Sequence, residues 1–332
     1  VANKNKKNKP KHKDKKKKKV ETLHIMQCSL RFSNPDADRR ADIQYAFDQD
    51  ADLLTFGEAG EADTTAMIRD IARSHGYADV TFPQGDSQLA VKLKGAADAR
   101  LKSKGGVMAH RAIPGSFGAR YVRWARVAWY DQDIWMHAAH WVFIPHVLEA
   151  HGELTKLHED QTRTMCAQVK KHGQGESISF FSGDINVDEG ADNRSDHPNM
   201  PNFIFRQKGL LTIWDELHVN PPITIAHSTF DIIGSYRPDK QVTGTRYIVH
   251  PKQNSDHRPV SAFYEVDVSK KVVGGGGGGD GGDGGEPDDT DDPTETADPD
   301  FYATGGNISW ADYLDNELYP LPTATGDSQY GG

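Results

Sequence analysis

The side chains able to do chemistry fall in a few short segments. The first is Ser182-Gly183-Asp184-Ile185-Asn186. In front of it, Ile178-Ser179-Phe180-Phe181 reads as a buried strand. A carboxylate and a carboxamide, two residues apart, therefore stand at a strand's C-terminal end, where α/β sheets carry their chemistry. An aspartate there can take a proton from water, and an asparagine can donate to a phosphate oxygen. Gly-Asp-x-Asn is equally ordinary turn chemistry. The second segment is Asn254-Ser255-Asp256-His257-Arg258-Pro259-Val260, just ahead of the strand-like 261–266. An adjacent Asp-His pair can hold a metal beside a charged or proton-donating imidazole; the plainer reading is a capped turn with a surface histidine. The third is Ala51-Asp52-Leu53-Leu54-Thr55-Phe56-Gly57-Glu58. A glutamate directly after an apolar strand is costly unless it is solvated or binds a cation, and its oxygens suit Mg²⁺. The fourth is His140 in Trp135-Met136-His137-Ala138-Ala139-His140-Trp141, where alternation puts His137 and Trp141 on one face and His140 on the other.

The elements that must position these groups alternate between strand and helix patterns. Strands are expected over 22–30, 51–56, near 78–82, 88–93 and 105–112, and over 178–183. A hairpin is expected over 121–130 and 133–143, turning at Asp131-Gln132-Asp133. Helices are expected over 35–50, with Ile43, Ala46 and Phe47 on one side, over 64–76 with Gly76 at its end, and over 149–172. Further strands around short helices follow from 203 to 268. The pattern suggests two packed sheets with helices outside, an α/β sandwich.

Charge is unevenly spread. Residues 1–19 hold 11 lysines and one acid, and residues 274–332 hold 14 acids and no Lys or Arg. The intervening chain keeps 28 basic and 33 acidic residues, a net of −5 within the total of −9. The chain thus divides into a disordered lysine-rich head (1–19), a core domain (20–273), a Gly/Asp-rich disordered linker (274–306) and a tail (307–332) with a possible short helix. The head suits phosphate contact, or simply solubility or localisation. In the tail, Ser309 begins a helical spacing of Trp310, Tyr313, Leu314 and Glu317 that Pro320 stops. It could dock residues 308–319 into a partner groove, or lie on its own domain. No apolar run is long enough to span a membrane, and the lysines precede no apolar signal region. Only Cys28 and Cys166 are present, which excludes a disulfide framework and a cysteine-based zinc site. A monomer in an intracellular, reducing compartment is expected, and the lack of further enzyme domains suits a phage or bacterial protein.

The four segments, with an opening strand at Leu23–Ser29, resemble the endonuclease/exonuclease/phosphatase superfamily in order and gaps. This is the fold of pancreatic-type deoxyribonucleases and AP endonucleases. Its motifs are a strand ending in Asn, a strand then Gln-Glu, a strand ending in Thr-His, Gly-Asp-x-Asn, and Ser-Asp-His-x-Pro. They fall here on Ser29, Gly57-Glu58, Ala139-His140, Gly183 to Asn186 and Ser255 to Pro259, with Asp231 where an aspartate should pair with the last histidine. Two positions depart: Ser29 replaces the Asn and Gly57 the Gln.

The resemblance implies a four-layer α/β sandwich, two mixed and mainly antiparallel sheets with flanking helices. It also implies Mg²⁺- or Mn²⁺-dependent phosphodiester hydrolysis. Glu58 with Asp256 would hold the metal, with Ser29 a weak contributor. Asp184 would orient or deprotonate water, and Asn186 would hold a phosphate oxygen. His257, kept in place by Asp231, and His140 would stabilise charge on phosphorus. A nuclease on DNA or RNA is the first expectation. A phosphomonoesterase or an inositol-phosphate or phospholipid phosphatase of the same fold comes next, and then a binding protein that has lost catalysis. Arg120, Arg123 and Arg126, interleaved with Tyr121, Trp124 and Trp129, form either a nucleic-acid surface or a strand with buried aromatics and solvated arginines.

Overall fold

The computed structural model describes residues 19–82, 85–92, 100–111, 118–130, 132–142, 152–175, 177–187, 201–225, 228–236 and 241–269. The lysine-rich head up to residue 18, the linker and the tail with its helical spacing lie outside them. Two six-stranded sheets face each other. The first contains β1 (Val20–Ser29), β2 (Leu53–Gly57), β3 (Tyr77–Val80), β4 (Gln88–Lys92), β11 (Val242–Val249) and β12 (Val260–Asp267), in the order β11-β12-β1-β2-β4-β3. The second contains β5 (Arg100–His110), β6 (Arg120–Trp129), β7 (Gln132–His140), β8 (Ile178–Asp184), β9 (Leu210–Thr212) and β10 (Asp231–Tyr236), in the order β5-β6-β7-β8-β10-β9. The β1–β2 and β7–β8 pairs are parallel and the others antiparallel. The structure is therefore the expected α/β sandwich of two mixed, mainly antiparallel sheets.

Alternation along the strands explains the layers. In β1, Leu23 and Ile25 point into the core shared by the two sheets, while Met26 and Cys28 point into a second core with α1 (Asp36–Asp48) and α2 (Ala62–Ser74). Ile43, Ala46 and Phe47 of α1 are buried there, as their spacing predicts. Gly76, at φ 79°, follows α2 in the left-handed conformation that ends helices. On the other side, α3 (Gly152–His172) buries Leu157, Met165, Cys166 and Val169, a helical stripe. Two short helices, α4 (Pro201–Gln207) and α5 (Ile213–Leu217), flank β9.

Two of the boundary differences have a local cause. β5 begins at Arg100, earlier than its apolar residues suggest, because its first half is a largely exposed ladder on β6. Gln132 belongs to β7, paired with Trp129, so the β6–β7 hairpin turns tighter than expected, through Tyr130 at φ 47°.

The register brings strand ends to one edge. Ser29 pairs with Gly57, His140 with Asp184, and Asp184 with Asp231. Glu58 follows β2 directly, and His257 precedes β12 by three residues. Gly183 is required by this packing: a Cβ there would stand 2.0 Å from the Ala139 carbonyl oxygen of β7.

Candidate active site

Each chemical group at that edge is held by a specific local device. His257 Nδ1 donates to Asp231 Oδ2 at 2.7 Å. The loop that carries it is braced by Asp42 of α1, whose carboxylate accepts from the Asn254 and Ser255 backbone N–H groups at 3.0 and 2.9 Å. The His257 N–H is capped by Ser255 Oγ at 3.1 Å. Asp231 is oriented by Ser29 Oγ, which donates to Oδ1 at 2.7 Å, and its backbone N–H bonds Thr224 Oγ1 at 3.2 Å.

His140 is held from both sides. Its Nδ1 lies 3.2 Å from Asp86 Oδ2, and Asp86 is also ion-paired with Arg120. Its Nε2 accepts from Asn186 Nδ2 at 2.9 Å. Asn186 gives its other N–H to the Trp141 carbonyl at 2.8 Å, so both amide protons are committed within the protein. The chain beyond His140 is fastened to α3. Trp141 Nε1 donates to Thr162 Oγ1 at 3.0 Å, the Val142 N–H bonds Gln161 Oε1 at 3.2 Å, and His158 Nε2 bonds the Val142 carbonyl. His137 also turns to α3, its Nε2 2.8 Å from His172 Nδ1. His137 and Trp141 thus share the face opposite His140, as alternation requires.

Asp184 lies at the centre. Its Oδ1 accepts the Asn186 backbone N–H at 2.9 Å. Its Oδ2 is 3.6 Å from His257 Nε2 and 3.7 Å from His140 Nε2, beyond hydrogen-bond range of either. That oxygen is buried and has no hydrogen-bond partner among the described residues. Glu58, partly exposed, completes the cluster: ligand atoms of Glu58, Asp184 and His257 lie within 4.8 Å of one another. Glu58 Oε2 also accepts from the Phe32 N–H at 3.1 Å. Glu58 and Asn186 both adopt left-handed backbone conformations, φ 51° and 50°. For non-glycine residues that strain is of order 1–3 kcal/mol each, and it collects where geometry matters to function.

The electrostatics divide the two aspartates. Burial pushes the Asp184 carboxyl up, with Asp231 adding to the push. Burial also pushes Asp231 up, but the His257 imidazolium outweighs it and holds Asp231 below its ordinary value. Burial lowers His257, yet the charges of Asp231 and Asp184 raise it well above its usual value. Burial and Arg120 lower His140, and burial raises Glu58. The edge thus carries one imidazole driven toward its charged form and one toward its neutral form, on either side of a buried carboxylate.

The chemistry of this set fits a divalent cation. A buried carboxylate oxygen without a partner, beside a second carboxylate, is a hard anionic site. With His257 held protonated by Asp231, the oxygens of Glu58 and Asp184 are the groups that would hold the ion. Asp256 stands outside the three-residue cluster, and its charge reaches His257 electrostatically. Ser29 meets Asp231.

The structure thus brings together Glu58, His140, Asp184, Asn186, Asp231 and His257, with Ser29 behind Asp231. It adds Asp86 and Asp42, which the sequence motifs do not mark. Asp86 lies in a turn outside any periodic pattern, and Asp42 is one of several acids on α1. The arginine row follows the expectation of buried aromatics and solvated arginines only in part, with Trp129 buried and Arg126 exposed. Arg123 is buried, its guanidinium 4.1 Å over Tyr121 and 4.6 Å over Phe82. Arg126 is bound to Asp133 at 2.8 Å and Arg120 is tied to Asp86. Arg120 and Arg123 are thus paired or stacked away from solvent, while Arg126 is paired but exposed.

No protein-family model matches the sequence, and no curated protein sequence matches it. Solved structures do match. An endonuclease/exonuclease/phosphatase family protein from Bacteroides thetaiotaomicron superposes with a TM-score of 0.57 at 14% identity, covering 75% of this chain and 99% of that one. D. rerio TDP2 complexed with a single-strand DNA product gives 0.54 at 14%, covering 73% and 98%. A mannosyl-6-phosphatase from Bacteroides thetaiotaomicron gives 0.53 at 15%, covering 72% and 98%. The chain therefore has the fold of the endonuclease/exonuclease/phosphatase superfamily, and its motif residues converge at one edge of that fold.

Proposed function

We propose that the protein is a metal-dependent phosphoester hydrolase, and that its substrates are phosphodiesters of DNA or RNA. One observation carries the hydrolase reading: two imidazoles flank the same buried, unpartnered Asp184 oxygen, with Glu58 in the same cluster. When bound by Glu58 and Asp184, Mg²⁺ or Mn²⁺ would polarise a phosphate oxygen and offset charge on the leaving group. Asp184, as a ligand of that ion, would orient the attacking water beside it. His257 donates a charged hydrogen bond from Nε2 to the phosphorane oxygens, with Asp231 fixing its ring. His140 is fixed beside the same space by Asp86 on Nδ1 and Asn186 on Nε2.

The lysine-rich head supports a polyanionic substrate, and D. rerio TDP2, whose structure holds a single-strand DNA product, shares the fold. The likeness to a mannosyl-6-phosphatase favours a small phosphomonoester as the second reading. Incubation of the full chain with supercoiled plasmid, linear DNA, RNA and para-nitrophenyl phosphates, with and without Mg²⁺, separates the two. Metal-dependent cleavage of a polymer supports the first. Turnover confined to the small phosphates supports the second, and no turnover on any of them defeats both.

A further inference from the structure

A polar chain crosses the otherwise apolar space between the sheets and ends on the site. Ser182 Oγ lies 2.6 Å from Thr55 Oγ1, and Thr55 Oγ1 donates to Gln27 Oε1 at 2.6 Å. Gln27 Nε2 donates to Ser29 Oγ at 3.1 Å, and Ser29 Oγ donates to Asp231 Oδ1 at 2.7 Å. Each of these residues is at most 1% exposed. The directions are forced by donor inventory. Thr55 spends its one proton on an amide oxygen, so Ser182 must donate to Thr55. Gln27 Nε2 can only donate, so the Ser29 proton is left for Asp231. Asp231 then receives Ser29 on Oδ1 and His257 on Oδ2, with the Thr224 side chain a further partner of its carboxylate.

A carboxylate with a single side-chain partner can turn about its terminal torsion, which is broad. A second, buried donor on the opposite oxygen fixes its plane. We propose that Ser29, oriented by Gln27, is a positioning residue that locks the Asp231 carboxylate in line with His257 Nδ1, rather than a group that orients the cation. Its proton and one of its lone pairs are already engaged in the chain. Gly57 belongs to the same arrangement, because a Cβ there would stand 2.7 Å from Ser29 Oγ. The two departures from the superfamily pattern are thus one coupled change: a hydroxyl at 29 aimed at Asp231, and bare backbone at 57 to leave room for it.

The kinetic arm of the test rests on the phosphoesterase reading; the spectroscopic arm does not. Wild type, Ser29→Ala, Ser29→Thr and Gln27→Met would be compared as full chains. In the metal-free protein, the low-field proton resonance of the His257 imidazole N–H reports its bond to Asp231. It should move or broaden in Ser29→Ala, less so in Gln27→Met, and return in Ser29→Thr. On whichever phosphate ester the wild type cleaves, Ser29→Ala should lower kcat by about 10–100-fold, the usual loss for an outer-shell partner, with KM and Mg²⁺ affinity by titration calorimetry unchanged and Ser29→Thr recovering most of the loss. An unmoved resonance in Ser29→Ala overturns the proposal, as does weaker Mg²⁺ binding with activity restored by excess Mg²⁺. If Ser29→Ala does not fold, an unmoved resonance in Gln27→Met overturns it in the same way. A wild type inert on every ester removes the phosphoesterase reading alone, because the resonance still decides the role of Ser29.

Discussion

Replacing Gly57 by alanine tests the coupling between positions 57 and 29 directly. Gly57 does not use the left-handed backbone region, so alanine meets no conformational penalty there. The penalty comes from contact. The added Cβ would sit 2.7 Å from Ser29 Oγ, closer than Cβ atoms in proteins come, while its next neighbours, Gln27 Nε2 and Ser29 Cβ, are at an ordinary 3.5 Å. Overpacking of this kind in a buried region costs about 1–3 kcal/mol. Ser29 can escape by rotating, but rotation gives up its bond to Asp231 and leaves a buried carboxylate oxygen short of a donor, a loss of about the same size. Either route yields a Tm lower by roughly 2–4 °C per kcal/mol for a domain of this size. In a Ser29→Ala background the obstructing atom is gone, so adding Gly57→Ala should be nearly neutral. Urea unfolding of the full chain, wild type, both single variants and the double variant, gives the coupling energy, expected at about 1–2 kcal/mol. Additive single effects, with Gly57→Ala costing the same in both backgrounds, would refute the reasoning.

Further outcomes concern the reacting groups and the fold around them. His257→Ala and Asp184→Ala should each lower kcat by at least ~10²-fold with KM little changed, because their contributions grow in the transition state; wild-type rates in both would sink the hydrolase reading. Glu58→Ala weakens the cation site, so its activity should recover in part at high Mg²⁺, whereas that of His257→Ala should not. Asp86→Asn removes the charge beside His140 and should lower kcat while leaving Mg²⁺ affinity intact, as judged by calorimetry. Stability should fall with acid. Burial pushes His137 down to about 3 and His158 down to about 4, both from an ordinary 6.5. Their contribution is full above about 6.5, where folded and unfolded chains are both neutral, and is lost as pH falls and only the unfolded chain takes up protons. By pH 5 this amounts to about 2 kcal/mol per histidine, an order-of-magnitude figure. Urea midpoints at pH 7.5 and 5 should differ accordingly, and His158→Gln should shrink the difference.

The parts of the site legible in the sequence were those tied to strand ends. Glu58, His140, Asp184 and Asn186 each follow an apolar run, and the register of parallel and antiparallel neighbours carries those ends to one edge. Asp231 was legible only through the resemblance, which places an aspartate on a strand between the last two motifs to pair with the final histidine. Groups supplied by turns and helix faces were not legible. Asp86 lies six residues past Val80, in a connection whose path no periodicity predicts. Asp42 shares α1 with Asp36, Asp38 and Asp48, and only the packing of the 254–257 loop on that helix selects it. The arginines of β6 show a third limit: alternation tells which face a side chain leaves from, not which acid or ring on a neighbouring element will meet it.

One signal was present in the sequence and reads clearly beside the structure. Along the strands that reach the site, alternate residues begin apolar and turn polar, ionisable or glycine toward the edge. In β1 the row is Leu23, Ile25, Gln27, Ser29; in β2 it is Leu53, Thr55, Gly57; in β8 it is Ile178, Phe180, Ser182, Asp184; in β7 it is Ile134, Met136, Ala138, His140. The apolar members of these rows belong to the core between the sheets. A hydroxyl or amide at full burial is tolerable only with a partner, and Gln27, Thr55, Ser29 and Ser182 find theirs in one another. That chain gives the sandwich a graded boundary. The dry end supplies the stability that lets the polar end hold an ion pair, an unpartnered carboxylate oxygen and two left-handed backbones. A strand row that turns polar before its end, in several strands at once, therefore marks the edge at which a two-sheet sandwich places its chemistry, and it does so independently of any motif.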